Sequence, residues 1–160
     1  MQKERCEELG KQQEEKMSKS LREYINIVEA AQSGCPLATK DVELNTTNRD
    51  FTQDKYNYGP LNVNVPGDYW ERVADEWDTT VEAAKASNCS NCVAFDISPR
   101  MDECMPGPVS DEDGRLGYCW MHHFKCHSAR TCHTWAKGGP IDQDEVSLDW
   151  GERNQMAYEK

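Results

Sequence analysis

Cys89-Ser-Asn-Cys92-Val-Ala-Phe95, Cys104, Gly117-Tyr118-Cys119-Trp120, Lys125-Cys126 and Thr131-Cys132-His133-Thr134-Trp135 make up the stretch whose reading decides the fold. Between Cys89 and Trp135 lie six of the chain's eight cysteines, all four histidines and two of the five tryptophans. Thiols at this density bind metal or form disulfides; six neutral thiols buried only as packing would be a poorer explanation. The rest of the composition points the same way. Hydrophobic residues make up 37% of the 160 residues and the mean hydropathy is -0.90, so apolar burial is thin for this length. A metal can supply the missing stabilisation, because its binding free energy becomes folding free energy when the unfolded chain has no site.

Charge and hydropathy exclude several classes. The net charge of -11, from 18 basic and 29 acidic side chains, argues against a nucleic-acid partner, which would require clustered Lys and Arg. Residues 89–140 are the least charged part, as suits a region that shields a buried centre. Met1-Gln-Lys-Glu-Arg-Cys-Glu-Glu-Leu lacks the apolar core of a signal peptide, and no run approaches a membrane span. The chain is therefore expected to fold in a reducing cytosol, where Cys-x-x-Cys with further cysteines favours metal or redox chemistry over structural disulfides.

Working outward, residues 3 to about 33 are proline-free and rich in Glu, Lys, Gln and Ala, which predicts one helix. Met17, Leu21, Tyr24, Val28 and Ala31 share a face for packing on the domain or on a partner, and Ser33-Gly34-Cys35-Pro36 ends the helix. Residues 37–68 are expected as an extended, mostly looped linker anchored by Tyr56, Tyr58, Leu61, Val63 and Val65. Asp68 caps a helix buried along Trp70, Val73, Ala74 and Trp77, and Thr80 caps a shorter one through Ala86 that leads into Cys89. After Gly138-Gly139-Pro140, residues 141–160 read as an acidic tail that wraps the domain or a neighbour, touching it through Ile141, Val146, Leu148 and Trp150. The expected organisation is an N-terminal helix and attachment arm over 1–36, a linker over 37–68, a cysteine-rich domain over 69–140 and a tail over 141–160.

Cys89 and Cys92 can grip one metal or one cluster from a single turn. A zinc ribbon would need a second Cys-x-x-Cys or a Cys-x-x-His knuckle, and none follows. A thioredoxin-type pair would follow a strand and open a helix, whereas this one follows a helix. The spacing instead resembles that of the high-potential iron-sulfur proteins (HiPIP), small domains that hold a cubane [4Fe-4S] cluster on four cysteines. Cys89-Ser-Asn-Cys92-Val-Ala-Phe95 matches their Cys-x-x-Cys with a following aromatic, Gly117-Tyr118-Cys119 their Gly-x-Cys, and Cys132-His133-Thr134-Trp135-Ala-Lys-Gly138 their last element. The resemblance implies Cys89, Cys92, Cys119 and Cys132 as cluster ligands, with Phe95, Trp120, Phe124 and Trp135 as the apolar shell. Cys104 and Cys126 are alternates that could replace a ligand or pair with each other.

A second resemblance covers residues from about 50 to 140. Tyr58-Gly59-Pro60-Leu61-Asn62, Cys89 to Cys104, Gly117 through Cys126 and Trp135 through Pro140 look like a family of small proteins of tailed bacteriophages, particularly marine T4-like ones. It implies a phage origin and a virion component assembled in the host cytoplasm.

His122, His123, His127 and His133 offer a mixed zinc site with Cys89, Cys92 and Cys119. Adjacent His122 and His123 point apart in regular structure, however, so satisfied or surface roles are the default. Nothing marks one thiol as an activated nucleophile, and Asp102-Glu103 and Asp111-Glu112-Asp113 read as solvent-facing, so no enzyme is expected. The expectation is a small irregular α-rich (α+β) metal-stabilised domain, HiPIP-like, with an N-terminal helix and extended arms. Its function is expected to be that of a virion-associated structural protein with a [4Fe-4S] cluster. Its partners would be other phage structural proteins, reached through residues 1–36 and the tail, with no nucleic acid and no membrane. The alternatives are a zinc-stabilised interaction module and a small electron-transfer protein.

Overall fold

Asp41 starts the longest described helix: its carboxylate accepts a hydrogen bond from Leu44 N at 3.0 Å, as an N-cap should. The computed structural model describes residues 21–22 and 34–154, so the helix expected over residues 3–33 and the residues beyond 154 lie outside the described residues, apart from helical Leu21 and Arg22. Pro36 leads into helix α1 (Leu37–Lys40), and α2 (Val42–Tyr56) runs to Asn57, which closes it in the left-handed region at φ 54°. Residues 37–56 are therefore mainly helical, which corrects the expectation of a looped linker. The physical reason is that α2 docks mainly through polar side chains, with Leu44 the apolar residue that packs against the core. Asn45 Oδ1 accepts from Lys125 N and Asn48 Nδ2 donates to His123 O, both at 2.7 Å, while fully buried Thr52 donates to Asn48 O. Positions 45, 48 and 52 form a stripe at helical spacing, yet Val42 and Phe51 on the same helix are exposed. A periodicity keyed to apolar residues passes over such a helix.

Past Asn57, Tyr58 is buried, as expected of an anchor, and its hydroxyl accepts from His127 N at 2.9 Å. Leu61 and Val65 are each 72% exposed, so their side chains are not the apolar anchors expected, although Leu61 O accepts from Arg130 at 3.1 Å. Helices α3 (Tyr69–Glu76) and α4 (Val81–Ala86) bury Tyr69, Trp70, Val73, Ala74 and Ala84 in a small cluster, with Trp77 packed at its edge. Thr80 caps α4 through Ala83 N at 3.1 Å as expected, whereas the Asp68 side chain makes an exposed ion pair with Arg72 rather than a cap bond.

Strand β3 (Gly114–Cys119) pairs antiparallel with each of the others: β1 (Phe95–Asp96), β2 (Ser110–Asp111) and β4 (Phe124–His127). Helix α5 (Pro99–Cys104) follows β1, with Ser98 as its cap. Ile141 pairs beside Asp96, donating to Phe95 O at 2.7 Å and accepting from Ile97 N at 2.8 Å. Residues 144–153 then form α6 (Asp144–Arg153), which packs on α5. The expected tail is thus partly a docked helix. Ile141 is buried and Trp150 partly so, while Val146 and Leu148 face solvent.

Asp96 explains how α6 is held. Its fully buried carboxylate accepts from Ser98 N and Trp120 Nε1, each at 2.9 Å, and from the Ser147 hydroxyl of α6. Arg100 adds bonds to Ser147 Oγ (2.6 Å), Gly34 O (2.5 Å) and, through its backbone N, Asp144 Oδ1 (2.9 Å). The Arg100–Gly34 bond brings residue 35 onto α5, where Cys35 and Cys104 form a disulfide with Cα atoms 5.5 Å apart. Cys104 is thereby neither a thiol ligand nor the partner of Cys126, and at this pair the expectation against disulfides fails. The described residues make a small mixed α+β domain of six α-helices and one four-stranded antiparallel sheet.

The polar docking of α2 has a measurable consequence. Asn45→Ala and Asn48→Ala should each cost about 1 kcal/mol in urea unfolding and speed amide exchange in α2, while Phe51→Ala should stay within about 0.5 kcal/mol of the parent. The reverse order would mean that apolar contacts hold this helix.

Candidate metal centre

The Cys-x-x-Cys turn is a single turn of 3-10 helix, Cys89–Asn91, opened by Asn88, whose side chain accepts from Ser90 N at 3.0 Å. Later segments grip both of its flanks. Cys89 N donates to Arg130 O at 2.7 Å and Ser90 N to Ser128 O; on the other side Val93 N donates to Ala136 O at 2.8 Å and Gly139 N to Asn91 O. Trp135 Nε1 donates to Asn88 O and to Asn91 Oδ1, both at 2.9 Å. Gly139 must lack a side chain here, because a Cβ would stand 1.7 Å from Cys92 O. Gly117 has the same role in the Gly-x-Cys element: a Cβ would meet the Phe95 ring at 2.5 Å.

These constraints bring five thiols to one cavity. Cys89 and Cys92 come from the turn, Cys119 from the end of β3, Cys126 from β4 and Cys132 from the segment after it. All five are unpaired, and all but the half-buried Cys132 are buried. Phe95, Phe124 and Trp135 of the expected shell line the cavity with them; Trp120 does not. Its ring is buried on Tyr118, centroids 4.9 Å apart, and its N–H goes to Asp96. Sequence reading missed Tyr58, Met121, Thr131 and Thr134 as wall residues, while His122, offered there as a zinc ligand, is a wall residue too. Thr131 and Thr134 flank Cys132 and had a positional signal, whereas Met121 and His122 owe their place to the turn after β3. Among the described residues, no three His, Cys, Asp or Glu side chains form a group that would hold a single ion. The sulfurs stand around a space.

The electrostatics of the thiols divide into burial and hydrogen bonding. Burial pushes Cys92 up, Cys126 well up and Cys132 to about 12. Against this, N–H groups donate to the sulfurs: Ala136 and Ala94 to Cys92, His122 and Met121 to Cys119, and Thr134 to Cys132. The Thr134 hydroxyl lies 3.2 Å from Cys132 Sγ. Cys119 is held below the usual thiol range, chiefly by a hydrogen bond from Cys126. Hydrogen bonds of this kind favour thiolate over thiol, but burial outweighs them at Cys92 and Cys132, and only at Cys119 does the balance favour the charged form.

The histidines are mostly engaged elsewhere. His127 Nε2 contacts Asp111 Oδ2 at 2.8 Å while its Nδ1 accepts from Ala129 N, His133 faces Glu76, and His123 Nδ1 lies 3.2 Å from the Tyr118 hydroxyl. His122 alone of the four lines the cavity, stacked on Tyr56 at 4.7 Å with its Nε2 2.6 Å from Thr134 Oγ1. Burial, and then the neighbouring His123, lower its pKa.

The raised thiol pKa of Cys132 sets a pH window. A group whose folded pKa exceeds its unfolded value stabilises the fold fully below the unfolded pKa and loses that contribution as pH rises through the folded one. Metal-free protein should therefore lose melting temperature between the ordinary thiol value of 9.0 and about 12, and in Cys132→Ser that alkaline loss should be smaller. Equal loss in both would place the alkaline sensitivity elsewhere. No family model, no curated protein and no solved structure matches this chain, so the fold and the site rest on its own residues.

Proposed function

We propose that this chain is a structural component of a tailed-bacteriophage particle whose domain is fastened by one [4Fe-4S] cluster on Cys89, Cys92, Cys119 and Cys132. The observation that carries the cluster reading is the cavity itself, where unpaired thiols from separate segments meet under an aromatic wall with N–H donors on their sulfurs. The donor set fits: four soft thiolates around a space suit a cluster, and hydrogen bonds to sulfur are among the means by which proteins stabilise one. When bound, the cluster supplies covalent cross-links between the turn, the end of β3 and the segment at Cys132. The chain's own residues supply the rest. Phe95, Phe124 and Trp135 exclude water, and Cys126 is the fifth thiol, a hydrogen-bond partner of Cys119 rather than a ligand.

The phage assignment rests on the sequence resemblance over residues from about 50 to 140. A building block needs only to bind its cluster and its neighbours, and exposed Val146 and Leu148 on α6, within the acidic tail, offer apolar points for attachment. Residues 1–36 are the other proposed attachment arm.

Protein purified without oxygen should be brown, absorb broadly across the visible range and contain about four irons and four sulfides per chain. Cys89→Ser, Cys92→Ser, Cys119→Ser and Cys132→Ser should each lose most of the iron, while Cys126→Ser should keep it. Stripping the metal should cost about 3 kcal/mol or more of unfolding free energy. A colourless chain holding one zinc would replace this reading with a zinc-stabilised interaction module. A brown chain absent from purified particles would instead point to a small electron carrier.

A further inference from the structure

Thr131 is fully buried, and its main chain is fixed on both sides. Its N donates to Gly59 O at 2.8 Å, its O accepts from Gly59 N at 3.0 Å, and the Tyr69 hydroxyl adds a second bond to that oxygen at 3.3 Å. The side-chain hydroxyl, by contrast, has no hydrogen-bond partner in the protein, although Thr131 lines the thiol cavity beside Cys132. A buried hydroxyl without a partner costs about 1–3 kcal/mol. Valine has nearly the same shape and would avoid that cost, so the hydroxyl is explained if an acceptor arrives with the occupant of the cavity. The wall around it offers aromatic rings and sulfur, and Thr134 already serves Cys132.

We infer that the Thr131 hydroxyl donates a hydrogen bond to a sulfur of the iron-sulfur cluster bound in this cavity, as a positioning donor for a charged acceptor. The inference rests on the cluster reading above. Donation to cluster sulfur stabilises added negative charge and raises the reduction potential.

The test uses the full chain, anaerobically loaded with iron and sulfide, as wild type, Thr131→Val and Thr131→Ser. Metal-free Thr131→Val should melt at or above wild type, since an unpaired hydroxyl has been removed. Loaded Thr131→Val should have a lower potential and release iron to a chelator about tenfold faster, the scale of one hydrogen bond to a charged group. Thr131→Ser, which keeps the hydroxyl, should restore both. An iron-loaded Val variant equal to wild type in potential and release overturns the inference and leaves the cluster reading intact. A metal-free Val variant that melts below wild type, or fails to fold while Ser folds, also overturns it, because the hydroxyl would then serve the protein itself. A wild-type chain that takes up no iron removes both readings together.

Discussion

The short turn from Cys89 to Val93 depends on hydrogen bonds to chain about forty residues further on, and most of the architecture serves to deliver those bonds. Its N-terminal flank is held by the carbonyls of Ser128 and Arg130, and its C-terminal flank by Ala136 and Gly139. The tight approach of Gly139 to Cys92 leaves no room for a side chain. Antiparallel pairing of β3 and β4 then brings Cys119 and Cys126 to the same cavity, and the bridge between Gly59 and Thr131 brings Cys132. The cysteines meet because backbone partners meet first.

That order explains which parts were legible in the sequence. Cys89, Cys92, Cys119 and Cys132, with Cys126 as an alternate, were the cysteines the family resemblance pointed to, and all five line the cavity; the glycines beside them were visible as motif elements whose steric reason appears only in three dimensions. Capped helices with an apolar stripe, such as the one carrying Trp70, Val73 and Ala74, were also readable. Helix α2 was not, because Asn45, Asn48 and Thr52 do much of the work usually left to a row of Leu or Ile, with only Leu44 among its aliphatic residues packed on the core, and asparagine runs read as loop. Trp120 was misassigned for a related reason. Its indole N–H seeks the buried Asp96 carboxylate, and no local pattern reveals a partner 24 residues away. The Cys35–Cys104 link, 69 residues apart in sequence, depends on Arg100 reaching Gly34 and was equally invisible.

Two kinds of polar burial stand side by side in this small core. Asp96 is wholly enclosed yet has donors on both oxygens, so its desolvation is offset and it specifies how α6 sits. The thiols are enclosed by rings and only partly supplied with N–H groups, so burial holds Cys92 and Cys132 toward the neutral form while Cys119 is held toward the charged one. A third case, the unpartnered hydroxyl of Thr131, follows neither pattern.

The Cys35–Cys104 bond also has a mechanical meaning. Any pull exerted on the chain ahead of Gly34 reaches a covalent tether at α5 before it reaches α1 or α2, and α5 is braced against α6 through Arg100. Tension from that end is therefore carried into the Asp96 side of the sheet and diverted from the sulfur-lined hollow.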